Sequence, residues 1–191
     1  MKSCFLRFFR DLLYHFPFFF TIKRVYCSYI FNIYKEDFME IERKFLIKKE
    51  KLPENLSQYP CLHIEQGYLC TDPVVRIRRQ NDEYYLTYKS KGLLSREEYN
   101  LPLTEESYYH LKEKADGIVI CKDRYVIPEK DGLSIELDIF HEAYEGLLLA
   151  EVEFSSEETA KSYVPPAWFG EDVTFSSKYH NSTLSKGDWV L

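Results

Sequence analysis

At 191 residues the chain is long enough for one domain with a full core and little beyond it. Residues 1–38 carry six basic and three acidic side chains, so residues 39–191 hold 19 basic against 28 acidic, a balance of −9. A domain that acidic excludes sequence-independent binding to duplex nucleic acid, which needs a broad basic face.

The first 38 residues are rich in Phe, Tyr and Ile. Their longest uncharged run, Leu12 to Ile22, is about half of the ~20 apolar residues that a membrane span requires. Lys2, Arg7 and Arg10 precede that run as in a signal peptide, but Asp11 sits at its edge and no A-x-A-like cleavage site follows. An amphipathic anchor is a further option. Lys35-Glu36-Asp37 can be encoded by AAG GAG GAU, a purine-rich ribosome-binding sequence one codon upstream of Met39. The expectation is therefore an N-terminal extension, 1–38, that is untranslated leader or poorly ordered, followed by one domain, 39–191, with no membrane association unless the extension is a real anchor.

From Met39 the chain reads as strands with few helices. Strands are expected over Met39–Lys48, Leu62–Leu69, Val74–Arg79, Tyr84–Ser90 and Ser95–Leu101, with turns at Thr71-Asp72-Pro73 and Asn81-Asp82. Thr104 is placed to cap a helix whose first turn carries Glu105 and Glu106, and Asp116-Gly117 ends it. Three more strands follow, Ile118–Ile127, Leu133–Phe140 and Leu147–Phe154. A short acidic helix is expected near Ser155, Pro165-Pro166 stops it, and a last helical turn follows Asn181.

Residues two apart on a strand share a face. On that rule the first strand groups Glu40, Glu42 and Lys44 against Ile41, Arg43 and Phe45. Later strands group Arg76 with Arg78, Tyr85 with Thr87 and Lys89, Arg96 with Glu98, and Lys122 with Arg124. Acids recur as Glu136 with Asp138 and Glu151 with Glu153, each backed by an apolar row. One such pair is routine on a solvated sheet face. Across the chain the polar faces are sorted, with bases on the third, fourth and sixth strands and acids on the first, seventh and eighth. Sorted charge of both signs suits a polyanion together with its metal ions. Carboxylates offer hard oxygen ligands to Mg²⁺ or Mn²⁺, and Arg and Lys neutralise phosphoryl oxygens.

The five cysteines, Cys4, Cys27, Cys61, Cys70 and Cys121, show no CxxC and no Cys/His spacing of a zinc site. They read as small buried side chains in a reducing compartment, which points to the cytoplasm. The histidines His63, His110, His141 and His180 are scattered and read as surface or cap residues.

The ordered set Glu40-Ile-Glu42-Arg-Lys44, QGYL at 66–69, VRIR at 75–78, YKS at 88–90, SREEY at 95–99, KDR at 122–124, IELDIF at 135–140, AEVEF at 150–154 and SKYHNSTL at 177–184 resembles the CYTH domain, or triphosphate tunnel metalloenzyme, family in its short prokaryotic form. That resemblance implies an all-β dominated α+β fold, an eight-stranded antiparallel barrel with a few flanking helices. It implies phosphate binding by Lys44, Arg76, Arg78, Lys89, Arg96, Lys122, Arg124 and Lys178. It implies Glu40, Glu42, Glu151 and Glu153 as the chief ligands of Mg²⁺ or Mn²⁺, with Glu98, Glu136 and Asp138 in support. Lys44 with Tyr68 is similar to the Lys–Tyr pair that some short members use to activate water. The implied activity is metal-dependent hydrolysis of a triphosphate, tripolyphosphate first and nucleoside triphosphates second. A class IV-like adenylyl cyclase and a non-catalytic polyphosphate-binding module are the alternatives.

Overall fold

The computed structural model describes residues 39–91 and 95–187, apart from the side chains of Met39, Glu40, Ser95 and Arg96. The expectation for residues 1–38 lies outside the described residues. Among the described residues there are nine antiparallel strands: β1 (Met39–Ile47), β2 (Cys61–Thr71), β3 (Val74–Gln80), β4 (Glu83–Lys89), β5 (Ser95–Pro102), β6 (Asp116–Pro128), β7 (Ser134–Phe140), β8 (Leu148–Glu153) and β9 (Phe169–Asp172). Three α-helices accompany them among the described residues: α1 (Glu105–Lys112), α2 (Glu157–Ser162) and α3 (Asn181–Leu184). The first eight strands lie where hydrophobic alternation places them. The four residues of β9 escape that reading because so short a run, with Gly170 inside it, carries no usable period.

Strand order around the sheet is β5-β4-β3-β2-β6-β7-β8-β1-β9, with a further pairing of β5 to β1. One edge of β1 takes β8, with Glu42 opposite Glu153 and Lys44 opposite Glu151. On the other edge Met39–Ile41 pair with β5, and Phe45 and Ile47 pair with β9. The ladder thus returns to its first strand over three residues, and β9 takes the remainder of the seam. A barrel of eight strands encloses an interior just wide enough for side chains or one small ligand.

The two faces of the wall are built differently. Outward-facing Ile41, Phe45, Ile135, Leu137, Ala150 and Val152 form a core with Phe154, Ala160, Tyr163 and Phe169 from the segments laid over them. Arg43 shares this outer face, donating to the carbonyls of Ala160 and Tyr163 at 3.1 and 2.9 Å and to Asp172 at 2.6 Å. It therefore ties α2 and β9 to β1. α2 begins with a capping box between Ser156 and Thr159, and Thr104 caps α1 by accepting from the Ser107 amide at 3.2 Å.

The inward row changes character along each strand. Glu42 and Lys44 give way to Leu46, Glu136 and Asp138 to Phe140, and Arg124 and Lys122 to Ile120. Tyr68, Ile120, Phe140, Leu149 and Val173 form a second apolar cluster at that end with Leu184 of α3. The Tyr144 hydroxyl donates to the Leu184 carbonyl, and the Ile118 amide donates to Ser185 O at 2.7 Å. Gly117, at φ +68°, allows that approach, since a Cβ there would lie 2.1 Å from Ser185 O. One end of the interior is thus charged and the other is filled and capped by α3. No helix among the described residues is long and apolar enough to cross a membrane.

Phe45 is fully buried and its ring lies 4.8 Å from that of Phe169. Phe45→Ala is expected to lower unfolding free energy by about 3–5 kcal/mol, read as a shift of the urea midpoint at unchanged slope.

Candidate functional site

The charged end of the barrel encloses a cavity of about 170 Å³. β1 contributes Glu42 and Lys44, β3 Arg76 and Arg78, and β4 Lys89. Facing them are Glu98 of β5, Arg124 of β6, Glu136 of β7, and Glu151 and Glu153 of β8, with Tyr68 of β2 deeper in. Each stands at an inward position of its strand, so the pleat alone aims it at the cavity.

Two networks hold these side chains. On the first, Lys44 Nζ lies 2.7 Å from Glu151 and 3.7 Å from Glu42. Arg124 donates to both oxygens of Asp138 at 2.6 and 2.7 Å, to Glu151 at 2.5 Å, and also to Glu136. Below it, Lys122 donates to Asp138 and sits 5.2 Å over the Phe140 ring. On the second, Lys89 contacts Glu98 at 2.7 Å, while Arg76 reaches Glu98 at 3.8 Å and Thr87 at 3.3 Å. Thr87 donates to Asn100 at 2.6 Å, and Asn100 donates to Glu98 at 3.1 Å.

Arg78 is placed differently. Its Nε and Nη2 both donate to the neutral amide oxygen of Gln66, at 3.1 and 2.9 Å, and Gln66 donates to the Tyr68 hydroxyl at 3.3 Å. Arg76 Nε is buried without a hydrogen-bond partner among the described residues. An orphaned buried guanidinium N–H is costly, and a phosphoryl oxygen is the acceptor it fits. The donor chemistry of the opposite wall fits a divalent cation: Glu42 faces Glu153 directly across the β1–β8 ladder, and Glu136 faces Glu151 across β7–β8. Like charges opposed in this way are destabilising; Arg124 and Lys44 offset part of that repulsion, and a hard cation can offset more with all-oxygen ligation.

Titration follows from these surroundings. Burial, then repulsion from Arg76 and Arg124, lowers Arg78 to about 10. Burial and the Arg124 charge lower Lys122 to about 8, with Asp138 and Glu151 opposing the shift. Burial alone would raise Glu151, but Lys44, Arg124 and Lys122 outweigh it and hold the carboxylate well below its usual range. Tyr68 is raised by burial, with Arg76 and Arg78 working the other way, so its hydroxyl keeps its proton at neutral pH.

Three residues expected in the site do not line the cavity. Lys122 and Asp138 are buried beneath it, where they support Arg124. Lys178 is exposed, its ammonium 5.5 Å from the Tyr179 ring. The side chains of Glu40 and Arg96 lie outside the described residues, although their backbones pair with each other. Gln66, Thr87 and Asn100 enter as neutral hydrogen-bonding partners, a role that the charge pattern alone does not assign. Their signal was the inward phase they share with Tyr68, Lys89 and Glu98. His180, Asn181 and Ser182 also line the cavity. No strand period points to these last three, because they arrive from the C-terminal segment.

The fold and site define a class of protein, an antiparallel barrel with guanidinium and ammonium groups and carboxylates sorted around one interior cavity. The sequence profile of the CYTH domain matches residues 39–186, and the chain belongs to that family. An inorganic triphosphatase of Nitrosomonas europaea is 40% identical over 149 residues, covering 76% of this chain and 96% of its own. One from Acetivibrio thermocellus is 36% identical over 157 residues, covering 78% and 95%. A crystal structure of an inorganic triphosphatase superposes with a TM-score of 0.59 at 37% identity, over 77% of this chain and 94% of that one. A structure from Hippeastrum, described as a putative adenylyl cyclase with dominant triphosphatase activity, shares the fold at 17% identity and a TM-score of 0.51, over 64% and 82%.

The lowered Lys122 gives a signed prediction. Between about 8 and its ordinary 10.5 the unfolded chain holds a proton that the folded chain has released, so this group's contribution to stability rises with pH across that window. The wild-type minus Lys122→Met difference in unfolding free energy should therefore climb from pH 8 to 10.5 in urea titrations. A flat difference would show that Lys122 stays protonated against Asp138.

Proposed function

We propose that this protein is a divalent-metal-dependent hydrolase of inorganic tripolyphosphate. The observation that carries the reading is the two-sided cavity, with guanidinium groups poorly matched by carboxylates on β3 and carboxylates stacked against one another on β1, β7 and β8. The relatives named inorganic triphosphatases at 40% and 36% identity support it.

Arg76 and Arg78 would grip terminal phosphoryl oxygens, exchanging an orphaned N–H and a neutral amide for charge-assisted bonds. Lys44, Lys89 and Arg124 complete the basic lining, each already steered by a carboxylate. Arg96 belongs to our phosphate-binding set on sequence grounds, whereas Lys178, exposed and away from the lining, leaves it. Glu42, Glu136, Glu151 and Glu153 would hold Mg²⁺ or Mn²⁺, joined by Glu40 and, on the facing wall, Glu98. Such a cation would supply charge neutralisation of the phosphoryl oxygens and make coordinated water easier to deprotonate. Lys44 and Tyr68 are our assignment for positioning the attacking water. Tyr68 is protonated and can orient it, and Lys44 can take part once its contact with Glu151 is shared with substrate and cation. Phosphoryl transfer asks little more of a protein than this positioning and charge stabilisation.

Tripolyphosphate is preferred over a nucleotide because the lining offers little for a base to stack on. Tyr68 is buried to 2% exposure, and Trp168 packs on Phe169 at 4.5 Å in the outer core, which leaves the His180 imidazole among the described lining residues. The Trp189 side chain lies outside the described residues. Free thiols at Cys61, Cys70 and Cys121 suit a reducing, cytoplasmic setting.

Phosphate release should occur from tripolyphosphate with Mg²⁺ or Mn²⁺, more slowly from ATP, and not in the presence of chelator. Cyclic AMP and pyrophosphate from ATP would instead establish a cyclase, and tight polyphosphate binding without turnover a binding module. Glu42→Gln is expected to lower kcat and weaken the metal dependence while leaving anion binding largely intact. Arg78→Ala should raise KM roughly 10- to 100-fold, equivalent to one lost charge-assisted contact of about 1.5–3 kcal/mol. Unchanged kcat and KM in Arg78→Ala would exclude β3 from the substrate site.

A further inference from the structure

On the outer face of the β2–β6 ladder, away from the cavity, three side chains of different chemistry converge. His63 stands directly opposite Asp123 in register, and Cys61 lies two residues earlier on the same face as His63. His63 Nδ1 is 2.5 Å from one oxygen of Asp123, and His141 Nε2, from just beyond β7, is 3.0 Å from the other. The Cys61 sulfur, a His63 ring nitrogen and an Asp123 oxygen all lie within 4.8 Å of one another. We propose that Cys61, His63 and Asp123 form a second metal site, selective for a borderline-soft divalent ion of the Zn²⁺ class, with His141 fixing the Asp123 carboxylate from behind.

The donor set carries the assignment. One sulfur, one imidazole and one carboxylate are a ligand set for Zn²⁺ or Co²⁺ and a poor one for Mg²⁺, whose sites are built from oxygen. Bond lengths of about 2.0–2.3 Å place tetrahedral ligand atoms roughly 3.3–3.7 Å apart, so the thiol closes by at most about 1.5 Å and the His63–Asp123 contact opens by about 1 Å. Exposure allows the second movement, because the His63 side chain is 75% accessible while Asp123 is held at 26%. The backbone need not move, since β2 and β6 are hydrogen-bonded neighbours. His141 supplies what ligating carboxylates require, an outer partner that orients them. With three protein ligands the fourth position is left to water, beside an outer-face cavity of about 570 Å³ that His63, Asp123 and His141 help to line.

The test is cobalt(II) titration of the full chain, stripped of metal and kept reduced, followed in the near ultraviolet. With excess Mg²⁺ present to occupy the barrel interior, a thiolate-to-cobalt charge-transfer band should grow and saturate at about one equivalent, and Zn²⁺ should abolish it. The all-carboxylate set of the barrel interior cannot produce that band, so Glu42→Gln should leave it unchanged. Cys61→Ser should remove the band, His63→Ala should weaken cobalt binding at least tenfold, and His141→Ala about 10- to 100-fold. Far-UV circular dichroism checks folding of Cys61→Ser, and the exposed His63→Ala carries the test should that variant misfold. Absence of the band in the wild type, its persistence in folded Cys61→Ser, or equal affinity in His63→Ala would overturn the site. None of these outcomes depends on whether tripolyphosphate is hydrolysed.

Discussion

Arg124, Lys122, Asp138 and Glu151 leave water together, and that shared desolvation sets the terms for the barrel around them. Asp138 is fully buried and accepts from both Lys122 and Arg124. Burial works against every charge in the group, yet Arg124 is held above its usual range by Asp138, Glu136 and Glu151. Ion pairs this dry do not favour folding over apolar side chains of the same size. Their presence in the wall is explained by what they do to Arg124, which is fixed in one orientation with its charge assured.

That fixing matters because the chemistry proposed for the cavity is electrostatic. A group that must swing into place when charge develops spends interaction energy on its own reorganisation, whereas one already held does not. The two networks differ in this respect. Arg124, Lys44 and Lys89 are bound by carboxylates, while Arg78 rests on a neutral amide and Arg76 keeps a buried N–H unmatched. The wall is therefore firm where carboxylates gather and underpaired on β3. The apolar cluster that includes Leu184 of α3 serves the same end, since it fills that end of the interior and bounds the charged volume there.

β6 shows how one strand can serve two faces. Lys122 and Arg124 point inward to Asp138, and Asp123 between them points outward to His63 and His141. Inside, the ligands are oxygen alone. Outside, sulfur and imidazole join one carboxylate. Two sites of such different hardness, one on the carboxylates of β1, β7 and β8 and one on the outer face of the β2–β6 ladder, would separate ions by chemistry.

Most of the fold was legible because a strand buried on one face must alternate, and eight of the nine strands among the described residues do so. The inward lining followed from the same period: once Glu42 and Lys44 share a face, so must Arg76 with Arg78 and Glu151 with Glu153. What a period cannot convey is depth. Lys122 and Asp138 alternate like their neighbours, yet they lie under the cavity because the inward row turns apolar at Ile120 and Phe140. β9 and the His180–Ser182 segment needed the tertiary structure, as each finds its place by docking on the barrel and not by any pattern of its own. The same holds for Cys61, His63, Asp123 and His141, whose spacing along the chain suggests nothing. Only the β2–β6 register and the return of the chain after β7 bring them together, because antiparallel pairing sets residues sixty apart side by side.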